Sequence, residues 1–117
     1  MFKQRLGAKG EELACNYLKN HGIKIIQRNY YTRFGEIDII GQEAGQLVFV
    51  EVKTRTSREF GLPEEAITQT KIARMQKAAF LYISYKKLTD QQYRFDAVVI
   101  EFAGEKLTRL EHLKNIG

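Results

Sequence analysis

Two apolar segments with strict alternation constrain this chain most. They are Gly35-Glu36-Ile37-Asp38-Ile39-Ile40 and Leu47-Val48-Phe49-Val50-Glu51-Val52-Lys53, joined by the turn-forming run Gly41-Gln42-Glu43-Ala44-Gly45-Gln46. Side chains two apart on a strand share a face. Ile37 and Ile39 are therefore expected on one face with Val48, Val50 and Val52. Glu36, Asp38, Glu51 and Lys53 are expected on the other. A hairpin turning between Ala44 and Gly45 places Asp38 opposite Glu51. Two carboxylates and an amine then share one surface of an otherwise apolar hairpin. Two readings compete. A solvated outer face accommodates alternating charge without further purpose. If the face is buried, the charges cost several kcal/mol of desolvation and call for a chemical reason.

Close carboxylates repel unless a cation separates them. Hard oxygen ligands suit Mg²⁺ or Mn²⁺, which keep several waters and favour phosphate substrates. Lys53 adds a positive charge able to orient a water or to stabilise charge developing at phosphorus. The chemistry that fits is metal-assisted phosphodiester hydrolysis.

The 117 residues are expected to form one domain with a core of its own. Hydrophobic residues make up 44% and charged residues 28%, with a net charge of +5, a balance that favours a polyanionic partner or simply solubility. Cys15 is the only cysteine, which excludes an internal disulfide and fits a reducing compartment. The start has no apolar leader, and no apolar run approaches the ~20 residues of a membrane span. A cytoplasmic protein without a membrane partner is expected. His21 and His112 are far apart and Cys15 stands alone, so no zinc ligand pair is suggested. There is no phosphate-binding glycine loop ending in Lys-Ser/Thr, and Ser57 and Ser84 lie in no nucleophile-elbow context.

Along the chain, residues 5–20 read as a helix with Leu6, Gly10, Leu13, Ala14, Tyr17 and Leu18 on one side and Gly22 as its stop. Glu11 falls at the rim of that apolar stripe; Glu12 points away from it. Residues 23–31 read as a strand. The segment 54–63 reads as a polar loop in which Arg55 and Arg58 either grip a phosphate backbone or are merely solvated. Pro63, followed by Glu64 and Glu65, predicts a helix start, with the helix running to about Tyr85. Ile72, Met75, Ala79, Tyr82 and Ile83 form its core stripe. Lys71, Arg74 and Lys77 form a basic side that is either solvated or turned toward nucleic acid. Residues 93–100 are a strong strand and 106–110 a weaker one. The strand-helix-strand unit they complete predicts a parallel pairing of 47–53 with 93–100.

The order of helix with Glu11, strand, strand with Asp38, strand with Glu51-Val52-Lys53, then helix resembles the PD-(D/E)XK nuclease superfamily, in particular its Holliday-junction-resolvase-like branch. Nearly the whole chain resembles the YraN-like family of bacterial proteins. The resemblance rests on Gly10-Glu11-Glu12-Leu13-Ala14, Arg28-Asn29-Tyr30, Gly35-Glu36-Ile37-Asp38-Ile39-Ile40, Val48-Phe49-Val50-Glu51-Val52-Lys53-Thr54-Arg55 and Arg94-Phe95-Asp96. It implies an α/β restriction-endonuclease-like αβββαβ core, a mixed sheet flanked by helices. It implies Mg²⁺ (or Mn²⁺) held by Asp38, Glu51 and the carbonyl of Val52. Lys53 would position the attacking water or stabilise the transition state, and Glu11 would be the first-helix carboxylate of the resolvase-like branch. Gln69 and Lys71 are candidates for an auxiliary residue on the second helix. The resemblance also implies DNA as partner, branched or junction DNA included, and a homodimer by analogy. The superfamily's eponymous Pro-Asp pair is Ile37-Asp38 here; the metal needs the carboxylate, not the proline. Fold likeness does not confer activity, so a nucleic-acid-binding or assembly module without turnover, or a protein-interaction domain, remain alternative readings.

Overall fold

The computed structural model describes the backbone of residues 2–117 and the side chains from residue 4 onward; Met1 lies outside the described residues. The first helix, α1, spans Phe2–Asn20. Gly22, at φ +89°, ends it. The chain reverses there because Ile23 N–H donates to the Leu18 carbonyl (2.9 Å), a bond that needs a left-handed residue in between. Strands β1 (Lys24–Thr32), β2 (Gly35–Glu43) and β3 (Gln46–Arg55) follow as an antiparallel meander. Helix α2 (Gln69–Tyr85) then crosses to β4 (Gln92–Ala103), and β5 (Lys106–Leu113) closes the far edge. The five-stranded sheet has the order β1-β2-β3-β4-β5. Only β3 and β4 are parallel, as the strand-helix-strand pattern predicts. The result is an α/β architecture with a mixed sheet between two helices, compatible with a restriction-endonuclease-like core.

Each face of the sheet has its own core. On one face Leu6, Ala14, Cys15 and Leu18 of α1 pack against Ile39, Val48, Val50, Val52, Val98 and Ile100. On the other, Met75, Ala78, Ala79 and Tyr82 of α2 pack against Ile37, Ile40, Leu47, Phe49 and Phe95. Gly10 lets α1 approach β3, because a Cβ there would run into Oγ1 of Thr54. Gly10→Val is therefore expected to destabilise the fold by about 1–3 kcal/mol through overpacking. Gly7, on the same helix with open space around it, should tolerate Ala or gain from it. Urea unfolding of the two variants checks the contrast; equal costs would refute the packing argument.

Three expectations are corrected. Ile37 and Ile39 do not share a face: Ile37 packs with the α2 core and Ile39 with the α1 core. The β2–β3 ladder ends at Ile39↔Val50, and beyond it the Asp38 side chain, not a backbone carbonyl, accepts the N–H of Val52 (2.8 Å). The pleat is broken there, so the period of two fails. Second, Pro63 does not open the long helix. Pro63–Ala66 is a separate 3-10 turn. Helix α2 starts after Thr68, whose hydroxyl accepts from Lys71 N–H (3.2 Å), an N-cap that competes successfully with the proline signal. Third, Thr54 and Arg55 belong to β3 and not to the loop.

Candidate active site

Where β2 and β3 part, four carboxylates from three elements converge. Glu36 and Asp38 come from β2, Glu51 from β3 and Glu11 from α1. Glu11, Glu36 and Asp38 each offer an oxygen within 4.8 Å of the others. Asn29, on β1 between the paired residues Arg28↔Ile39 and Tyr30↔Ile37, has a left-handed conformation (φ +54°), one that Asn tolerates better than most residues. With its amide nitrogen turned to the carboxylates, Asn29 donates to Glu11 (3.1 Å) and Glu36 (2.8 Å). Arg28 ties Glu12 (3.0 Å) and, more loosely, Glu11 (3.9 Å), so Glu12 is engaged outside the cluster.

The electrostatics follow from burial. Desolvation first, then the charge of Glu51, pushes Asp38 up to about 7, against the opposing hydrogen bond from Val52 N–H. Burial also raises Glu51, opposed by Lys71 and Lys53. Glu36 is raised by burial and then by Asp38, and Glu11 by burial and then by Glu36. Four carboxyls that all resist ionisation describe a site short of positive charge. Lys71 Nζ lies 3.4 Å from Glu51 Oε1, whereas Glu51 Oε2 is buried with no hydrogen-bond partner. An unpartnered buried carboxylate oxygen is costly. An all-oxygen donor set of this kind fits a hard divalent cation.

The structure thus brings Glu11, Asp38 and Glu51 together, with Lys53 near enough to draw Glu51's affinity for protons down. Two further candidates have carboxylate partners. Lys71 reaches Glu51. Arg58 is held by Glu101 through two hydrogen bonds (2.9 and 3.0 Å). Arg55 remains half-buried at the end of β3 with an unpartnered Nε, Arg74 is exposed on α2, and Gln69 is exposed at its start. Sequence reasoning missed Glu36 and Asn29 as members of the cluster. The alternation does put Glu36 on Asp38's face, and an Asn in an apolar strand is a signal for positive φ.

Fold and site define a class: α/β proteins whose mixed sheet forks over a partly buried carboxylate cluster with ammonium groups beside it. Residues 10–100 match the family described as Uncharacterised protein family UPF0102, and the chain belongs to it. It is 42% identical over 115 residues to a UPF0102 protein of Geobacter metallireducens, covering 98% of this chain and 93% of that one. A Syntrophomonas wolfei relative is 44% identical over 114 residues, covering 97% and 98%. One from Dictyoglomus thermophilum is 40% identical over 117 residues, covering 98% of both. This is the family that the sequence motifs resemble. No helix of the described residues is long and apolar enough to cross a membrane.

Proposed function

We propose that this chain is a Mg²⁺-dependent (or Mn²⁺-dependent) endonuclease that hydrolyses phosphodiester bonds in DNA, branched DNA included. The observation that carries this reading is the meeting of half-buried Asp38 with buried Glu51, one oxygen of which has no hydrogen-bond partner. Asp38, Glu51 and the Val52 carbonyl would hold the metal, with Glu11 and Glu36 alongside. When bound, a divalent cation supplies charge stabilisation at phosphorus and a more acidic water.

The chain's own residues do the rest. The Val52 N–H fixes one Asp38 oxygen, so the other is left to face the site. Lys71 restrains Glu51 through Oε1 and leaves Oε2 available. Lys53, two residues after Glu51, presents an ammonium that can orient a water and offset charge on the phosphoryl oxygens.

The test is incubation with branched, flapped and linear DNA in Mg²⁺ or chelator. Metal-dependent cutting, lowered at least a hundredfold in Asp38→Ala and Lys53→Ala, is expected. Equal cutting by all three proteins identifies a contaminant and removes the proposal. DNA binding that persists in Asp38→Ala, with no cutting by the parent chain, transfers the function to a binding module on the same fold.

A further inference from the structure

We propose that the groove between the β1–β2 turn and the outer face of α2 seats an unpaired nucleotide of the strand that enters the carboxylate site. The inference rests on the nuclease reading and extends it to a substrate feature: a single-stranded stretch beside the cut.

The groove, of about 490 Å³, is lined by Arg33, Phe34, Gln76, Lys77 and Phe80 among others, and no carboxylate lines it. Four arginines elsewhere are neutralised: Arg28 by Glu12, Arg58 by Glu101, Arg94 by Asp96 and Glu43, and Arg109 by Glu64, Glu101 and Glu111. Among the described residues, neither Arg33 nor Lys77 has such a partner. Both instead lie over the ring of Phe34, Arg33 at 4.9 Å and Lys77 at 5.4 Å. Phe34 is held in a fixed turn, because its N–H donates to Thr32 Oγ1 (3.1 Å) and that hydroxyl donates to the Gly35 carbonyl (2.8 Å). Two cations held by cation–π contact and left without counter-charge form a receptor for an anion.

Phe80 supplies the second half. It stands on α2, 69% exposed, with a ring able to take a base. Aromatic rings beside unpaired cations are how sequence-tolerant single-strand sites work: bases stack while phosphates meet charge. A duplex keeps its bases stacked on one another, so only an unpaired base can use Phe80. An acidic peptide would satisfy the charge, but it has no planar group to match Phe80 unless it is also aromatic.

Position ties the groove to the active site. Phe34 is two residues from Glu36 on the same hairpin, and Lys77 is six residues from Lys71 on the same helix, or about 9 Å along its axis. That distance corresponds to roughly three nucleotides of stacked strand.

Binding of a fluorescein-labelled oligothymidylate and of a blunt duplex, followed by anisotropy at low salt in chelator, tests this without cleavage. Phe80→Ala should weaken oligothymidylate binding about tenfold and leave duplex binding unchanged, while Phe80→Trp should retain both. Lys77→Glu should weaken the oligothymidylate as well. The exposure of both positions keeps folding intact, which circular dichroism verifies. Equal oligothymidylate affinity in the parent, Phe80→Ala and Lys77→Glu chains overturns the proposal. So does a Phe80-dependent dimer in sedimentation, which would make this face a self-interface. Tighter Phe80-dependent binding of a glutamate–tyrosine copolymer overturns it in favour of a protein partner. Failure of oligothymidylate binding alongside Asp38-dependent duplex cutting removes the groove and leaves the nuclease reading intact.

Discussion

Asp38→Asn is expected to give a protein that melts higher than its parent in chelator and no longer responds to magnesium. The Asn carbonyl can still accept the Val52 N–H that Asp38 takes at 2.8 Å, so the local hydrogen bond survives. What disappears is the charge of a half-buried carboxyl whose pKa desolvation and Glu51 push up to about 7. Near pH 8, where the parent carboxylate is ionised, removing that charge should add on the order of 1–3 kcal/mol. For a domain of this size that is several degrees in melting temperature. The parent chain, in contrast, should gain from Mg²⁺, by about 2.7 kcal/mol at a hundredfold excess over the dissociation constant. Differential scanning calorimetry in chelator and in Mg²⁺ measures both changes. A lower melting temperature for Asp38→Asn in chelator, or an equal magnesium shift in the two proteins, would falsify the account of the cluster as a cation site.

Asp96→Asn should have a large effect of the opposite sign. Asp96 is fully buried (0% exposed) at the centre of a polar network away from the carboxylate cluster. Its oxygens accept from Arg94 Nε (3.1 Å to each) and from the N–H of Asn115 (3.0 Å), and meet His112 Nε2 at 2.7 Å. Arg94 extends the network to Gln46 and Glu43 at the β2–β3 turn. The substitution places an amide N–H₂ among donors and leaves Arg94 with Glu43 as its remaining carboxylate partner, at a cost of about 3–5 kcal/mol. The melting temperature should fall on the order of 10 °C.

The pH dependence has a definite sign. Burial raises the affinity of Asp96 for protons, but His112, Asn115 N–H and Arg94 together outweigh it and hold the carboxyl below its ordinary range. A depressed carboxyl contributes stability that is present above its unfolded value, near 4, and is lost as pH falls through the folded value. The gap between parent and Asp96→Asn in urea unfolding should therefore narrow below about pH 4. A gap that stays constant down to pH 2 would remove Asp96's charge from the explanation.

The hairpin and its candidate site are largely legible in the sequence. The turn at Ala44-Gly45 and the alternation of the flanking segments fix a register that runs as Glu43↔Gln46 through Ile39↔Val50, one step short of Asp38 and Glu51. Helical phase alone separates Glu11, at the rim of the cluster, from Glu12 beyond it. What escaped was long-range or local in a way that periodicity does not encode. The break at Asp38 arises because a side chain replaces a backbone acceptor, which reverses the expected side of Ile37. The start of α2 depends on a single hydroxyl at Thr68. The pairing of Lys71 with Glu51, and of Arg58 with Glu101, joins residues 20 and 43 positions apart, and no pattern within one element predicts which cation meets which anion. Family motifs located the cluster; they did not show that Glu36 and Asn29 belong to it.

Strand order in this sheet repeats chain order, so consecutive antiparallel strands are joined by short turns and one pairing alone, β3 with β4, spans a long intervening segment. Tolerance to insertion follows from that. Extra residues between Arg55 and Pro63 would lengthen a closure that is already long, and each doubling of such a loop costs only about 0.6 kcal/mol in chain entropy. Extra residues at Ala44-Gly45 would instead displace the register that sets Asp38 against Glu51. Variation in length can accumulate beside the carboxylate fork, and the two-residue turn that aligns it has no comparable freedom.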